Sequence, residues 1–478
     1  MRAQANYRYE EVAHFISSLV DKGTLGLGAR APSLREICRQ RRISLSTALQ
    51  AYRLLEDRGV LEARPQSGYY VARGAAGAFE TPAITRPPAK PTPVAVAGLI
   101  VKMLEYAGDP TLVPLGCAIP SAELLAADRL DRCLARAARV RGRDCNTYTE
   151  IRGDAGLRRE IARRAMHWGQ ALSPQDIAIT CGCTEALTLA LTTVARPGDT
   201  IAIESPTYFG LLHAIEALNL KAFELPTDAA AGIDLGALEN ALKGRRIAAC
   251  LLASSFNNPL GCTIPDEKKL AILDLLSRHQ VPLIEDDIYG DIFFGKERPR
   301  PFMALDRRGN TIYCSSFSKT LAPGYRVGWI ATSRHIEQVL ERKHTHTLCG
   351  PVLPQVALAD FLTSGGYDHQ LRRVRRLYQH NIAQVSRAIE AAFPAGTRVT
   401  RPAGGFVLWL ELPKPADTRE LLNAALAEGI CFAPGDLFSA SGRYRNCLRL
   451  SCAHPWNARI EKGVATLGAL AAAQLRRA

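Results

Sequence analysis

The sequence predicts an α/β protein in which a mainly parallel sheet is covered by helices on both faces, preceded by a small helical head. Three observations predict it. From Leu99 onward, short apolar runs alternate with helical stretches, the pattern of a sheet buried on both sides. Between Ala75 and Val96 the chain carries Pro82, Pro87, Pro88, Pro91 and Pro93 with almost no apolar periodicity, the signature of a semi-rigid spacer between independent domains. Before it, short helical periodicities are broken by glycine and proline. The expected division is a head over 6–75, a linker over 76–97 and a large domain over 98–478.

Composition sets outer bounds. The 478 residues exceed one simple core, and 47% hydrophobic with 22% charged residues excludes the disordered and fibrous classes. Glu10 and Glu11 stand directly ahead of the first apolar residues, which breaks a secretory leader pattern. No apolar run reaches the roughly 20 residues that crossing a bilayer takes, so the expectation is a cytoplasmic protein without a membrane partner. The 13 cysteines lack paired CxxC spacings and read as reduced thiols. Cys181-Gly182-Cys183 and His344-Thr345-His346 fall short of a four-ligand site, so no metal is expected. A net charge of +14 favours an anionic partner. Residues 1–75 hold 12 Lys+Arg against 7 Asp+Glu, a net of +5 that leaves +9 for the rest, so the excess is spread along the chain.

In the head, Val12, Phe15, Ile16 and Leu19 share one face of a helix over Tyr9–Val20. Ser33 with Glu36 forms a capping-box signature for a helix through Arg39. Ser44 opens another helix, with Leu49, Tyr52, Leu54 and Leu55 as its expected buried side and Gly59 as its stop. Val60–Arg64 and Tyr69–Ala72 read as two strands around Pro65-Gln66-Ser67-Gly68. Helix, turn, helix and wing in this order resemble the winged helix-turn-helix of the GntR regulators, through Pro32-Ser33-Leu34-Arg35, Ser44-Leu45-Ser46-Thr47 and Gly68. The resemblance implies binding to double-stranded DNA. Helix N-termini offer N–H groups to phosphates while exposed side chains meet base edges, which makes Arg35, Ser44, Ser46, Thr47 and Gly68 the candidates. Leu45 stands where that family commonly has an arginine.

In the large domain the strand-like runs are 177–180, 200–204, 247–252, 281–285, 311–314 and 327–330, with helical stretches such as Asp266–His279 between most of them. Ligands of such sheets bind at the carboxyl ends of the strands. The residues there are Gly182-Cys183-Thr184, Ser205-Pro206-Thr207-Tyr208, Asn257-Asn258-Pro259, Asp286-Asp287-Ile288-Tyr289 and Ser316-Phe317-Ser318-Lys319, with Arg326 seven residues on. From about Pro114 onward this set resembles the fold type I aminotransferases that use pyridoxal 5′-phosphate, with a smaller C-terminal α/β subdomain.

The resemblance implies a role for each residue. Lys319 forms the Schiff base with the cofactor, and Asp286 holds the ring nitrogen protonated. Asn258 and Tyr289 bond the ring oxygen, and Tyr208 stacks on the ring. Ser316, Ser318 and Arg326, with the N–H groups of Gly182, Cys183 and Thr184 at a helix starting near Glu185, take the phosphate. Tyr148 reaches a neighbouring subunit's phosphate, which implies a homodimer. Arg449, alone among apolar residues in 447–451, clamps a substrate α-carboxylate.

Three competing readings carry less. Ser316-x-x-Lys319 fits a serine acyl-enzyme motif, yet neither Ser-Asp-Asn nor Lys-Thr-Gly follows. Glu285-Asp286-Asp287 cannot all face one magnesium ion, because strand side chains alternate. The run Arg372-Arg373, Arg375-Arg376 reads as a solvated helix face, with a second DNA contact as the other possibility.

A winged helix joined to an aminotransferase-like domain resembles the MocR subgroup of GntR regulators. That implies a pyridoxal-phosphate-dependent regulator that senses an amino acid or amine by exchange at Lys319. The alternative is a working aminotransferase, converting an amino acid to a 2-oxo acid, with an accessory head.

Overall fold

The computed structural model describes residues 8–26, 28–57, 60–64, 67–71 and 79–477. In the head, α1 (Arg8–Asp21), α2 (Leu34–Arg41) and α3 (Leu45–Asp57) close on Val12, Ile16, Ile37, Ala48, Ala51, Tyr52 and Leu55. The capping box forms: Ser33 Oγ accepts the Glu36 N–H at 3.2 Å, and the Glu36 carboxylate accepts the Ser33 N–H at 3.2 Å. The helix runs two residues past Arg39, and the chain leaves it through Arg42 at a left-handed φ of 50°. On α3 the buried side is rotated from the sequence reading, since Leu49 and Leu54 are only half-buried while Ala48 and Ala51 face inward. Small side chains on that face let α1, which buries its own Ala13, approach closely. The wing is β1 (Leu61–Arg64) antiparallel to β2 (Gly68–Val71), with Leu61 opposite Val71. Gly59, Pro65, Gln66 and Ala72 lie outside the described residues.

The proposed spacer is not free. Past the undescribed 72–78, the Phe79 carbonyl accepts from Arg401 at 2.7 Å, Glu80 pairs with Arg398 at 3.1 Å, and the Ala83 N–H donates to Glu411 at 2.8 Å. Further on, the Ala89 carbonyl accepts from Arg245 at 2.9 Å, and the N–H groups of Val96 and Ala97 both reach Glu216. Proline withholds N–H groups but leaves the carbonyls and intervening residues able to bond, so 79–96 forms an extended strap along the large domain.

In the large domain β3 (Thr92–Pro93) ends the strap, and α4 (Ala97–Gly108), β4 (Val113–Leu115), α5 (Ala127–Arg141) and α6 (Ala155–Ala165) follow. Next come β5 (Ile177–Thr180), α7 (Cys183–Val194), β6 (Thr200–Ser205), α8 (Phe209–Ala217), β7 (Lys221–Asp228), β8 (Gly232–Ile233) and α9 (Leu235–Gly244). β9 (Ala249–Leu252), α10 (Asp266–Arg278), β10 (Leu283–Asp286), α11 (Phe302–Leu305), β11 (Thr311–Ser316) and β12 (Gly328–Ala331) complete the sheet, in the order β3-β7-β6-β9-β10-β11-β12-β5 with β8 beside β7. β7, β6, β9, β10 and β11 run parallel, whereas β12 is antiparallel to both of its neighbours.

The sequence did not reveal β7, because Glu224 and Pro226 interrupt its apolar run. Glu224 is buried, and its carboxylate accepts from the hydroxyls of Ser205, Ser439 and Ser441.

After α12 (Ile336–His346) and α13 (Val352–Thr363), the 27-residue α14 (Gly366–Ala392) leads into the smaller part. This comprises β13 (Arg398–Val399), β14 (Val407–Glu411), α15 (Thr418–Ala427), β15 (Ile430–Pro434), β16 (Cys447–Ser451) and α16 (Ala458–Arg477). Its sheet runs β13-β14-β16-β15-β4, so it is not purely C-terminal: β4 enters from the N-terminal side, parallel to β15. Among the described residues no helix is long and apolar enough to cross a membrane. Among those same residues no cluster of His, Cys, Asp or Glu could hold a metal.

Ser33→Ala, which removes the cap of α2, is expected to cost the head about 1 kcal/mol, read as an earlier unfolding transition of the head with the large domain's transition unmoved.

Candidate functional site

The carboxyl ends of β5, β6, β9, β10 and β11 form one rim, and a cavity of about 310 Å³ opens there. It brings together Cys183, Thr184, Tyr208, Asn258, Asp286, Tyr289, Ser316, Ser318, Lys319, Arg326 and Arg449.

Side-chain alternation at the end of β10 separates three consecutive carboxylates. Glu285 is buried and accepts the N–H groups of Phe302 and Met303 at 2.7 and 2.9 Å. Asp287 accepts from Arg298 at 2.5 Å and from the Tyr313 hydroxyl at 2.8 Å. Asp286 alone faces the cavity, where its Oδ1 accepts the Ile288 N–H at 3.2 Å and the Cys183 thiol at 3.7 Å. Burial pushes its pKa up to about 6.

Lys319 follows β11, half-buried, with Nζ donating to the Ala118 carbonyl at 2.6 Å. Burial, then the nearby Arg449 guanidinium, push its pKa down to about 8. Arg449 is 0% exposed, which excludes a surface strand arginine. It donates to the Gly116 carbonyl and, at 3.2 Å, to Asn258 Oδ1, while its buried Nε has no partner. Among the described residues no carboxylate pairs with it. The rings of Phe438 and Phe209 lie 5.4 and 5.9 Å from its Cζ.

Gly182 caps α7 at φ 86°, where a Cβ would stand 2.5 Å from Arg326 Nη2. The helix therefore begins at Cys183, two residues earlier than expected, and Arg326 lies across its N-terminus, bonded to the Cys181 carbonyl at 2.9 Å. Glu185 instead takes Thr347, Lys343 and the Cys181 N–H. Ser316 and Ser318 are buried and joined by an N–H to Oγ bond of 3.2 Å. Burial pushes Tyr208 up to about 12, and it raises Tyr289 further. Tyr148 is not brought in: it is 83% exposed and does not line the cavity.

Two contributors carried no sequence signal strong enough to find them. Glu204, at the end of β6, lines the cavity and accepts the Ala253 N–H and the Asn257 amide, each at 3.1 Å; burial raises its pKa to about 8. The roof, Cys117–Pro120, follows β4 and reaches the rim only because β4 belongs to the smaller sheet.

In the head, Ser44 Oγ bonds the hydroxyls of Ser46 and Thr47, each at 2.8 Å, and accepts the Thr47 N–H at 3.2 Å, which fixes the start of α3. Arg35, Ser44 and Ser46 are exposed, Thr47 is half-buried, and Leu45 is 59% exposed. Gly68 is exposed at φ 107°, and a Cβ there would stand 3.5 Å from Arg30 Nη2. Arg30, at the wing, was not singled out from sequence.

The family described as aminotransferase class I and II matches residues 123–467, and bacterial regulatory proteins of the gntR family match residues 8–71. The chain is 38% identical over 463 residues to the uncharacterized HTH-type transcriptional regulator YdcR of Escherichia coli, covering 97% of this chain and 98% of that one. It is 36% identical over 461 residues to YjiR of the same organism, described in the same words, covering 96% and 98%. The crystal structure of LysN, the α-aminoadipate aminotransferase from Thermus thermophilus, complexed with N-(5′-phosphopyridoxyl)-L-leucine, superposes with a TM-score of 0.73 at 29% identity over 80% of this chain and 100% of that one.

Reductive trapping of the Lys319 amine by a small aldehyde is expected to rise with pH to a midpoint near 8, because the neutral amine reacts. Arg449→Gln should move that midpoint upward, and a wild-type midpoint near 10.5 would contradict the burial argument.

Proposed function

The chain belongs to the aminotransferase class I and II family and, through its head, to the gntR family of bacterial regulatory proteins, a pairing typical of the MocR subgroup; from that premise we propose that it is a transcriptional regulator that binds pyridoxal 5′-phosphate in the Lys319 cavity and senses an amino acid or amine there. The observation that carries this reading is the meeting of an amine, a cavity-facing carboxylate, a helix N-terminus with a nearby arginine, and a buried arginine with no carboxylate partner among the described residues around one cavity, in a chain that also has a capped helix-turn-helix.

The donor set fits the cofactor. Gly182 leaves open the space a Cβ would take from Arg326, and the first N–H groups of α7 have no partner within their own helix, so phosphate fits Arg326, Ser316, Ser318 and the N–H groups of Cys183 and Thr184. Asp286, with a pKa near 6, suits a protonated ring nitrogen. Asn258 and Tyr289 suit the ring hydroxyl, and Tyr208 suits the ring face. Bound there, the cofactor supplies an aldehyde that joins reversibly to primary amines and a ring that accepts electrons.

Lys319 provides the tethering amine, and its lowered pKa keeps a share of it neutral near physiological pH. Arg449 holds the carboxylate of an amino-acid ligand through two charge-assisted hydrogen bonds. To do so it gives up the Gly116 carbonyl, whereas an amine that takes the place of Lys319 on the cofactor returns the lysine amine to the Ala118 carbonyl. The roof is then held through a different side chain, so ligand-bound and ligand-free chains prefer different arrangements of the two parts, which is what a switch requires. Tyr148, exposed in one chain, is available to the site of a second copy, in keeping with a homodimer. Arg35, Ser44, Ser46, Thr47 and Gly68 are the proposed contacts to double-stranded DNA.

A second reading is turnover. The full set including Arg449, and the likeness to LysN, support a working aminotransferase with a DNA-binding head.

Protein loaded with cofactor is expected to absorb in the visible, and Lys319→Ala to lose that band. Arg449→Gln should weaken the spectral response to amino acids at least tenfold, since hydrogen bonds to charged groups are worth about 1.5–3 kcal/mol. The deciding experiment is a screen of amino acids and amines, scored in parallel for spectral change, affinity for DNA upstream of the gene, and keto-acid release. Ligand-dependent DNA affinity without product supports the sensor, and rapid product with indifferent DNA affinity supports the enzyme.

A further inference from the structure

A second groove, of about 550 Å³, runs between the segment Phe293–Lys296 and α14. Its charged lining is entirely basic: Lys296, Arg372, Arg375 and Arg376. A neighbouring cavity of about 700 Å³ shares Phe293, Lys296, Arg372 and Arg375 with it. The carboxylates of that cavity are mostly consumed. Asp287 and Asp291 pair with Arg298 at 2.5 and 2.7 Å, and Asp368 pairs with Arg164 at 3.0 Å, which leaves the exposed Glu297.

The basic run therefore divides by side. Arg373 turns to the Glu123 carbonyl at 2.9 Å. Arg375 is fixed, its Nε donating to the Asp291 carbonyl at 2.7 Å and its guanidinium over the Phe293 ring at 3.6 Å. Arg372 and Arg376 are exposed, and four-residue spacing puts them side by side on the helix. Like charges so placed repel; Asp368, one turn before Arg372, is taken by Arg164, and among the described residues no ion pair links a carboxylate to Arg372 or Arg376. A polyanion would neutralise them. α3, which carries Ser44, Ser46 and Thr47 at its start, touches α14, so the head and the basic helix belong to one continuous surface. Most of the excess positive charge, +9 of +14, lies outside the first 75 residues.

We infer that the groove lined by Lys296, Arg372, Arg375 and Arg376 is a second contact for duplex DNA, gripping backbone phosphates without reading bases. The inference rests on the regulatory reading of the head. Arginine and lysine on phosphates set register and affinity but carry no sequence information, so the groove adds to binding of any duplex while the head keeps the preference.

The test compares the full-length, cofactor-loaded wild type with the triple variant Lys296→Gln, Arg372→Gln, Arg376→Gln. A charge-matched control, Arg196→Gln, Lys221→Gln, Lys462→Gln, changes exposed residues that do not line the groove. Affinity is measured against salt on two duplexes of equal length, the segment upstream of the gene and a random sequence. Each lost phosphate contact lowers the slope of log affinity against log salt by about 0.9. The triple variant should therefore lose about 2 to 3 from the slope on both duplexes, with the promoter preference, visible band and thermal midpoint unchanged.

An unchanged slope, or an equal fall in the control, overturns the groove while leaving the head's reading intact. Loss of promoter preference overturns its sequence independence. If the triple variant fails to fold, Arg376→Gln alone decides, through a fall of about 0.9 or none. A wild type that binds neither duplex overturns both readings together.

Discussion

Two interior nitrogen groups, neither with a carboxylate partner among the described residues, set the terms for the large domain. Arg449 is fully buried, and Lys319 faces the cavity across from it; what each holds is a carbonyl of the same segment, Gly116 and Ala118. Taking a charge out of water is costly unless it is paired. Burial lowers the proton affinity of both, but only Lys319 can give up its proton near neutral pH, while Arg449 stays charged. The site is thus built to favour an anion from outside. The segment that supplies the two carbonyls is also the roof of the cavity.

That constraint explains why the cavity needs both sheets. β4 belongs by sequence to the start of the large domain, yet it pairs with β15, and β16 brings Arg449 into the same small sheet. The clamp and the roof therefore belong to the small sheet, while Lys319, Asp286 and the α7 cradle belong to the large one. The strap runs across both. Phe79, Glu80 and Ala83 are tied to 398–411, and 92–97 are tied to β7 and Glu216.

Charge is arranged on two levels. In the interior, the run Glu285-Asp286-Asp287 spends two carboxylates on structure and one on the cavity, by simple alternation along β10. On the outside, α3 offers neutral hydroxyls and the partly positive N-terminus of a helix, whereas α14 offers full charges, guanidinium groups along one side. The first geometry suits reading and the second suits holding.

Much of this was legible in the residues. Strand alternation, the capping box of Ser33 and Glu36, and the polar clusters after successive strands are local patterns, and local patterns are fixed by neighbours in sequence. They determined the fold class, the head and most of the side chains that meet at Lys319, though not Glu204 or the roof, and Tyr148 stays outside. The rest depends on contacts between residues far apart in the chain. The rotated core face of α3 follows from how closely α1 can approach alanines. β7 was hidden because Glu224 is polar in sequence and becomes tolerable only when Ser205, Ser439 and Ser441 surround it. The strap looked like a free linker because its partners, Arg398, Glu411 and Glu216, lie more than a hundred residues away. By itself the sequence determined the chemistry available to this protein, since that resides in residue types at strand ends; only the tertiary structure decided that Arg449 is buried with no counter-charge among the described residues and that the roof rests on it, because burial and pairing are properties of the packed chain.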